Sequence, residues 1–413
     1  MVRGLMAALI ALALVGCAKA PAPDPRDGWV GSWATSQQIP EPENALPAGL
    51  SDITLRQFVH LSLGGSELRV QLSNRFGTAP LHVAAAHIAR AAAPLGEGGI
   101  EAGTDALLLF SGRPDVIIPA GADYWSDPVT FEAAAMSNVA ITIHLPALPS
   151  QQTGHPGSRT TSFFAQGDQV SAVALTGAQP IDHWYNISAI DVVGGANAAA
   201  IAIIGDSITD GRGSTTNGND RWPDVLSERL QASPSTRHLG VLNFGVGGNR
   251  LLNDGKGPNA LARLNDDVLA QTGVKYLIVF EGVNDLGTLT RDGEVSAEEH
   301  AAHVARMIGA YEQIITRAHA RGLRVYGATI MAYGGTEIYP NNPGTEADRE
   351  AINAWIRTSG RFDAVIDFDA VTPAIPPTRP ACAPSTIWAI TCTPRPKASV
   401  PWRAPSPLEL FAP

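Results

Sequence analysis

The stretch IAIIGDSITDG, residues 201–211, decides how the second half of this chain is read. Four apolar residues run into Gly205-Asp206-Ser207 and then into a short polar turn. A continuous apolar run of this length marks a strand buried on both faces of a parallel sheet. Glycine lets the backbone turn sharply there and would bring Ser207 to the rim. A serine so placed reads as a nucleophile, and its hydroxyl needs a base to take the proton. Alone, a Gly-Asp-Ser turn is usually only a turn, so the surrounding chain has to carry the argument.

From about residue 198 onward, strand-like and helix-like runs alternate. AIAIIGD, GVLNFG, KYLIVFEG, RVYGATIMAYG and AVIDFD are apolar runs; RWPDVLSERLQA, SAEEHAAHVARMIGAYEQIITRAHARG and TEADREAINAWIRTSG are helical stretches between them. This order predicts a parallel sheet covered on both faces by helices. Sites in such sheets lie at the C-terminal ends of the strands. Two further loops leave that edge: Gly245-Val246-Gly247-Gly248-Asn249 after GVLNF, and Glu281-Gly282-Val283-Asn284-Asp285 after YLIVF. The backbone N–H groups of Ser207 and Gly248 and the Asn284 amide are candidate donors to a developing oxyanion. Asp206 reads as a residue that shapes the serine turn. The glycine loop lacks the spacing of a dinucleotide site.

Upstream the texture differs. From Trp29 to about Asn186, TLRQFVHLSL, SELRVQLSNRFG, LHVAAAHIARA, ALLLFSG, DVIIPAG, WSDPVTF and NVAITIHLP are strand-length runs separated by Gly, Pro, Asn and Ser. They predict an all-β sandwich or jelly-roll domain over 29–192, followed by the α/β domain over 193–371. Trp125 and Trp184 are aromatics of this domain that could stack on sugars, although a lone tryptophan in a β domain is more often core.

A length of 413 residues suits two domains, and 45% hydrophobic with 16% charged residues suits a packed globular body. The net charge of −10 excludes a nucleic-acid-binding surface as the leading reading. Neither a Walker loop nor zinc-ligand spacing occurs, so no cofactor or metal is implied. Residues 1–17, MVRGLMAALIALALVGC, carry Arg3 ahead of an apolar run too short to span a bilayer comfortably. The small residues before Cys17 resemble a bacterial lipoprotein signal. That implies cleavage before Cys17, lipid attachment to its sulfur, and a Pro- and Ala-containing tether over 18–28.

The three blocks together, IIGDSITDG, NFGVGGN and EGVNDLG, resemble those of the SGNH (GDSL) hydrolases over roughly residues 198–371. The resemblance implies a three-layer α/β/α fold. It makes Ser207 the nucleophile and Gly248 and Asn284 the oxyanion donors. The activity implied is hydrolysis of carboxylic esters, among them acetylated glycans, lipids and aryl esters. The GSWATSQ…LRQFVH region resembles the N-terminal β domain of a subset of bacterial members.

The family's fourth block, D-x-x-H near the C-terminus, is missing. His319, the last histidine, falls in a helical stretch, and His300 and His303 are expected on another helix, where surface solvation is the expected role. His238 precedes a strand at the wrong edge. Asp367 and Asp369 are expected to be turn-formers. After Val371 the chain becomes rich in proline, with Cys382 and Cys392 inside the run, and cannot supply a final helix. A true loss of catalysis with a genuinely proline-rich tail is one reading; a shifted reading frame, which the genetic code permits, is the other and the favoured one. Across 388–394, the last base of each codon joined to the first two of the next permits Gly-Asp-His-Leu-His-Pro. Across 401–407 it permits Met-Ala-Arg-Ala-Ile-Pro, continuous with Leu408-Glu409-Leu410-Phe411. A slip near Thr372 and a compensating slip near Pro407 would place the histidine between Cys392 and Thr393. The tail over 372–407 is then aberrant, with 408–413 the true end.

The sequence therefore leads to an exported, lipid-anchored serine ester hydrolase of the bacterial periplasm or outer membrane, impaired as written. The competing expectation is a surface glycan-binding lipoprotein with a degenerate hydrolase domain.

Overall fold

The computed structural model describes residues 28–195, 197–334, 338–339, 342–371 and 407–411. Cys17 with the signal segment, most of the tether, and the proline-rich stretch with Cys382 and Cys392 lie outside the described residues.

The N-terminal part is all-β. Its first strands are β1 (Trp29–Ala34), β2 (Ser51–His60), β3 (Gly65–Ser73), β4 (Leu81–Val83) and β5 (Ala85–Arg90). They are followed by β6 (Ala106–Leu107), β7 (Val116–Ile118), β8 (Asp123–Trp125), β9 (Val129–Ala133) and β10 (Asn138–Ala147). The last are β11 (Gly154–His155), β12 (Ser162–Gln166), β13 (Gln179–Ile181), β14 (Trp184–Tyr185) and β15 (Ile187–Val193). One antiparallel sheet runs β1-β15-β3-β8, with β9 also on β3; the other runs β13-β12-β2-β10-β5-β6. Alternation places Leu55, Val59, Val139, Ile141 and Ile143 of the second sheet in one core with Leu68, Val70, Ile190 and Val192 of the first. The opposite face of the second sheet buries Phe58, Ala89, Ala140 and Phe163 in a smaller cluster.

Two strand runs differ from the sequence expectation. LHVAAAHIARA divides at Ala84 into β4 and β5, which pair with different partners. ALLLFSG yields only the two-residue edge strand β6, because Leu107 lies at the open side of its sheet, 42% exposed. Short edge strands limit pairing with other chains.

The C-terminal part is α/β. Its parallel strands are β16 (Ala199–Gly205), β17 (Leu239–Gly245), β18 (Val274–Phe280), β19 (Arg324–Ala328) and β20 (Ala364–Ile366), in the order β17-β16-β18-β19-β20. The helices are α1 (Ser207–Asp210), α2 (Trp222–Ala232), α3 (Ala260–Leu264), α4 (Val283–Leu289), α5 (Ala297–His319), α6 (Pro343–Thr358) and α7 (Phe368–Val371). Strict alternation along β16 sends Ala200, Ala202 and Ile204 to the face carrying Met307, Tyr311 and Ile314 of α5 and Ile352 and Ile356 of α6. Ile201 and Ile203 go to the face carrying Trp222, Leu226 and Leu230 of α2. The sheet is thus a middle layer between helices. Residues Pro407–Phe411 form a short helical turn that buries Phe411 on the α2 face, against Tyr276 and Tyr326.

The two parts share one continuous core. β1 packs on β17 so closely that a Cβ at Gly240 would lie 2.5 Å from the Gly31 carbonyl oxygen. The Ser62 hydroxyl accepts from the Val241 N–H at 2.9 Å, so the β part is sealed to the sheet by polar as well as apolar contacts.

Candidate active site

β16 pairs in register with both neighbours: Gly205 lies opposite Gly245 of β17 and Phe280 of β18. The three loops predicted to converge therefore leave the sheet at one level. Asp206 caps α1, its Oδ1 accepting from the Ile208 N–H at 2.8 Å, and Ser207 is the first helical residue. The turn is tight because Gly245 allows it: a Cβ there would sit 2.1 Å from the Asp210 nitrogen. Asn243 holds the same turn from below, donating from Nδ2 to the Thr209 carbonyl at 2.8 Å.

Hydrogen bonds join the loops. The Val246 N–H donates to the Gly205 carbonyl at 3.0 Å, fastening the glycine loop to the serine strand. Gly248 takes a φ of +72°, in the left-handed region that glycine enters without strain. Asn284 on α4 donates from Nδ2 to the Asn249 carbonyl at 2.8 Å. Its Oδ1 accepts from the Tyr339 hydroxyl at 2.7 Å, which fixes which way the amide faces. One Nδ2 hydrogen is thereby left over. Neither the Ser207 nor the Gly248 N–H donates to a protein acceptor among the described residues. A cavity of about 150 Å3 is lined by Arg291, Tyr333, Ile338, Thr345 and the same Tyr339 that donates to the amide.

Beneath the loops lies a buried polar layer that the sequence reading did not anticipate. Arg263 of α3 is 4% exposed and is satisfied on all sides. Its Nε and one terminal nitrogen donate to Asn249 Oδ1, at 3.0 and 2.9 Å. The same terminal nitrogen reaches the Gly205 carbonyl at 3.0 Å. The other reaches the Phe244 carbonyl, the Ser36 hydroxyl and Asp267 Oδ2 at 2.6 to 2.9 Å. One guanidinium so ties the serine strand, the glycine loop and the β part together. Around it, Asp206, Asp210, Glu281 and Asp285 are all buried. Burial pushes Asp285 up to about 6, against the two backbone N–H groups of Leu251 and Leu252 that its oxygens accept. Burial first, and then the neighbouring acids, raise both Asp206 and Glu281 above the ordinary carboxylate range.

His155 is the second unanticipated residue. It comes from β11, yet its Nε2 lies 2.8 Å from Asp210 Oδ1, three residues after Ser207, and its Nδ1 lies 2.9 Å from the Ser36 carbonyl. Both ring nitrogens are occupied, so this imidazole serves as a joint between the β part and the serine turn. No periodicity in the sequence signals either residue, because both act across long sequence separations. Only the Arg263/Asp267 spacing of four residues hinted at a pair.

The remaining titratable candidates sit away from Ser207. His238 precedes β17 at the opposite edge. His319 closes α5 beside Asp363, at 2.8 Å. His300 pairs with Asp348 at 2.5 Å. Surface solvation does not describe His303: it is 5% exposed, because it shares the inward face of α5 with Met307, Ala310 and Tyr311. Burial, followed by Arg306, lowers its pKa. Asp367 and Asp369 do more than shape a turn, since Arg357 bridges both and Arg349 meets Asp369. Trp184 is interior, 2% exposed, with its ring edge-on to Trp33 at 5.0 Å and its indole N–H on the Phe58 carbonyl, so it cannot stack on a sugar. Trp125 is half-buried under the Arg69 guanidinium.

Residues 203–390 match the model of the GDSL-like Lipase/Acylhydrolase family. No curated protein matches the chain. Among solved structures it is similar to an acetyl xylan esterase, at 20% identity over 42% of this chain and 78% of that one, with a TM-score of 0.32. It is also similar to a lipase/acylhydrolase from Enterococcus faecalis, at 19% identity over 43% and 80%, TM-score 0.32. A psychrotrophic esterase from Pseudoalteromonas sp. is similar at 18% identity over 41% and 76%, TM-score 0.30.

Proposed function

We propose carboxylic-ester hydrolysis with Ser207 as the nucleophile for this chain, whose residues 203–390 match the model of the GDSL-like Lipase/Acylhydrolase family. The observation that carries this reading is the set of unspent donors: the Ser207 and Gly248 N–H groups and one hydrogen of the oriented Asn284 amide. Donors held in place before the reaction favour the charge that forms on a tetrahedral intermediate. Ser207 Oγ attacks the carbonyl carbon, the carbonyl oxygen becomes the oxyanion, and the alkoxide leaves with a proton. Water then attacks the acyl-serine and returns the enzyme. Acetylated glycans, lipids and aryl esters are the substrate classes in view.

The imidazole that takes the Ser207 proton belongs to the block encoded in the shifted frame between Cys392 and Thr393. Without it the chain retains only the oxyanion donors, and its rate lies several orders of magnitude below that of the restored form. Cys17 is the lipid-attachment site, and the mature protein is anchored to a bacterial membrane in the periplasm or outer membrane.

The deciding experiment compares p-nitrophenyl acetate hydrolysis by this chain, by a chain with the block restored, and by the restored chain carrying Ser207→Ala. Hydrolysis that appears on restoration and disappears with Ser207→Ala is the expected result. Fast hydrolysis by the unrestored chain, or none by the restored one, overturns the reading.

A further inference from the structure

Asp206 and Glu281 occupy equivalent places. Each is the residue immediately after its strand, and the preceding residues, Gly205 and Phe280, are register partners in the sheet. Parallel alternation therefore sends both side chains from adjacent strand ends into the same buried layer, 2% and 1% exposed. Two ionised carboxylates are both acceptors and cannot bond to each other. Asp206 has one donor, the Ile208 N–H, and Glu281 Oε2 has a long one, the Gly282 N–H at 3.2 Å. Glu281 Oε1 is buried with no donor among the described residues. The neighbourhood does not compensate two charges. Asp285 and Asp210 add negative charge, and Asp210 is already matched by His155. Arg263 is the cation facing Glu281, but its hydrogen bonds go to Asp267 and to neutral oxygens. From α5, Tyr311 donates to the Glu281 carbonyl at 2.6 Å, not to its carboxyl.

We propose that Asp206 and Glu281 hold a single proton between them, and that this O–H···O bond clamps the serine turn to the third loop, making Glu281 a positioning residue for Ser207. A shared proton gives the pair a donor where its own oxygens have too few, and it removes one of two charges buried at neighbouring strand ends. The catalytic consequence rests on Ser207 being the nucleophile; the shared proton does not.

The protonated form is bound more tightly in the folded chain than in the unfolded one. Stability from this pair is therefore full at acid pH and declines as pH rises through the folded pair's titration. Glu281→Gln replaces the shared proton with an amide donor that does not titrate. Melting temperature is measured from about pH 5 to about pH 9 in the full chain, for wild type, Glu281→Gln and Asp206→Asn. The wild type should lose several degrees toward alkaline pH beyond whatever either variant loses. Equal profiles in all three overturn the proposal.

Should both variants fail to fold, the wild type still answers. Infrared spectra of chains carrying 13C-carboxyl glutamate or 13C-carboxyl aspartate are recorded at neutral pH. Glu281 is the one fully buried glutamate among the described residues. An isotope-shifted protonated-carboxyl band in the glutamate sample, or one in the aspartate sample that persists in chains carrying Asp285→Asn and Asp191→Asn, supports the shared proton; its absence from both refutes it. These readouts need no turnover, so an esterase reading that fails leaves them intact.

Discussion

His155 and Asp210 meet at 2.8 Å across the seam between the all-β part and the serine turn, and both are nearly fully buried. Their pairing makes the β part a structural component of the site. Removing one partner leaves the other buried and unmatched, which costs about 3 kcal/mol or more. His155→Ala is expected to lower unfolding free energy by about that amount in denaturant titrations. A change within about 0.5 kcal/mol would show that the joint carries little.

The same seam predicts that the α/β part does not fold alone. A chain beginning near residue 193 would expose Leu242, against which β1 packs, and would leave the Val241 N–H without Ser62. It is expected to be insoluble or to lack a cooperative thermal transition, whereas the full chain has one. A cooperative transition in the truncated chain would contradict this.

Tyr339 orients Asn284 through the 2.7 Å hydrogen bond to Oδ1. Tyr339→Phe removes that donor and frees the amide to turn over. In the block-restored enzyme, kcat should fall by about tenfold with little change in KM, as for a lost interaction worth about 1.4 kcal/mol in the transition state. An unchanged kcat would mean that Asn249 orients the amide unaided.

Arg263→Leu removes the hub beneath the loops, strands Asn249 Oδ1 without its donor and leaves Asp267 with Ser36 and Arg75 alone. Loss of a buried, multiply bonded charge predicts destabilisation of about 3 kcal/mol or more, with Arg263→Lys recovering only part of it because an ammonium cannot reproduce the planar fork. Full recovery in the lysine variant would show that charge, not geometry, is what the site needs.

Gly245→Ala places a methyl group where the Asp210 nitrogen now lies. The serine turn must shift or the strand must bend, so a marked loss of stability is expected, in the range of about 1–3 kcal/mol for an overpacked site. Equal melting temperatures for variant and wild type would show that the turn yields easily.

The strands and helices around Ser207 were legible from the chain alone, because residues 201–204 and their counterparts are buried on both faces and must be apolar without interruption. The placement of the three loops at one edge followed from parallel order. What composition and spacing could not convey was the layer under those loops. Arg263, Glu281 and His155 look like surface residues in the sequence, since charge ordinarily means exposure. Their burial depends on partners 55 residues or more away for His155 and Asp210, and 227 for Arg263 and Ser36. Such pairings arise only when the β part closes against the parallel sheet. His303 shows the same limit: a histidine on a long helix is inside or outside according to which face the sheet covers. Local patterns therefore select the elements, while the packing of one part on the other selects which charges are buried and matched.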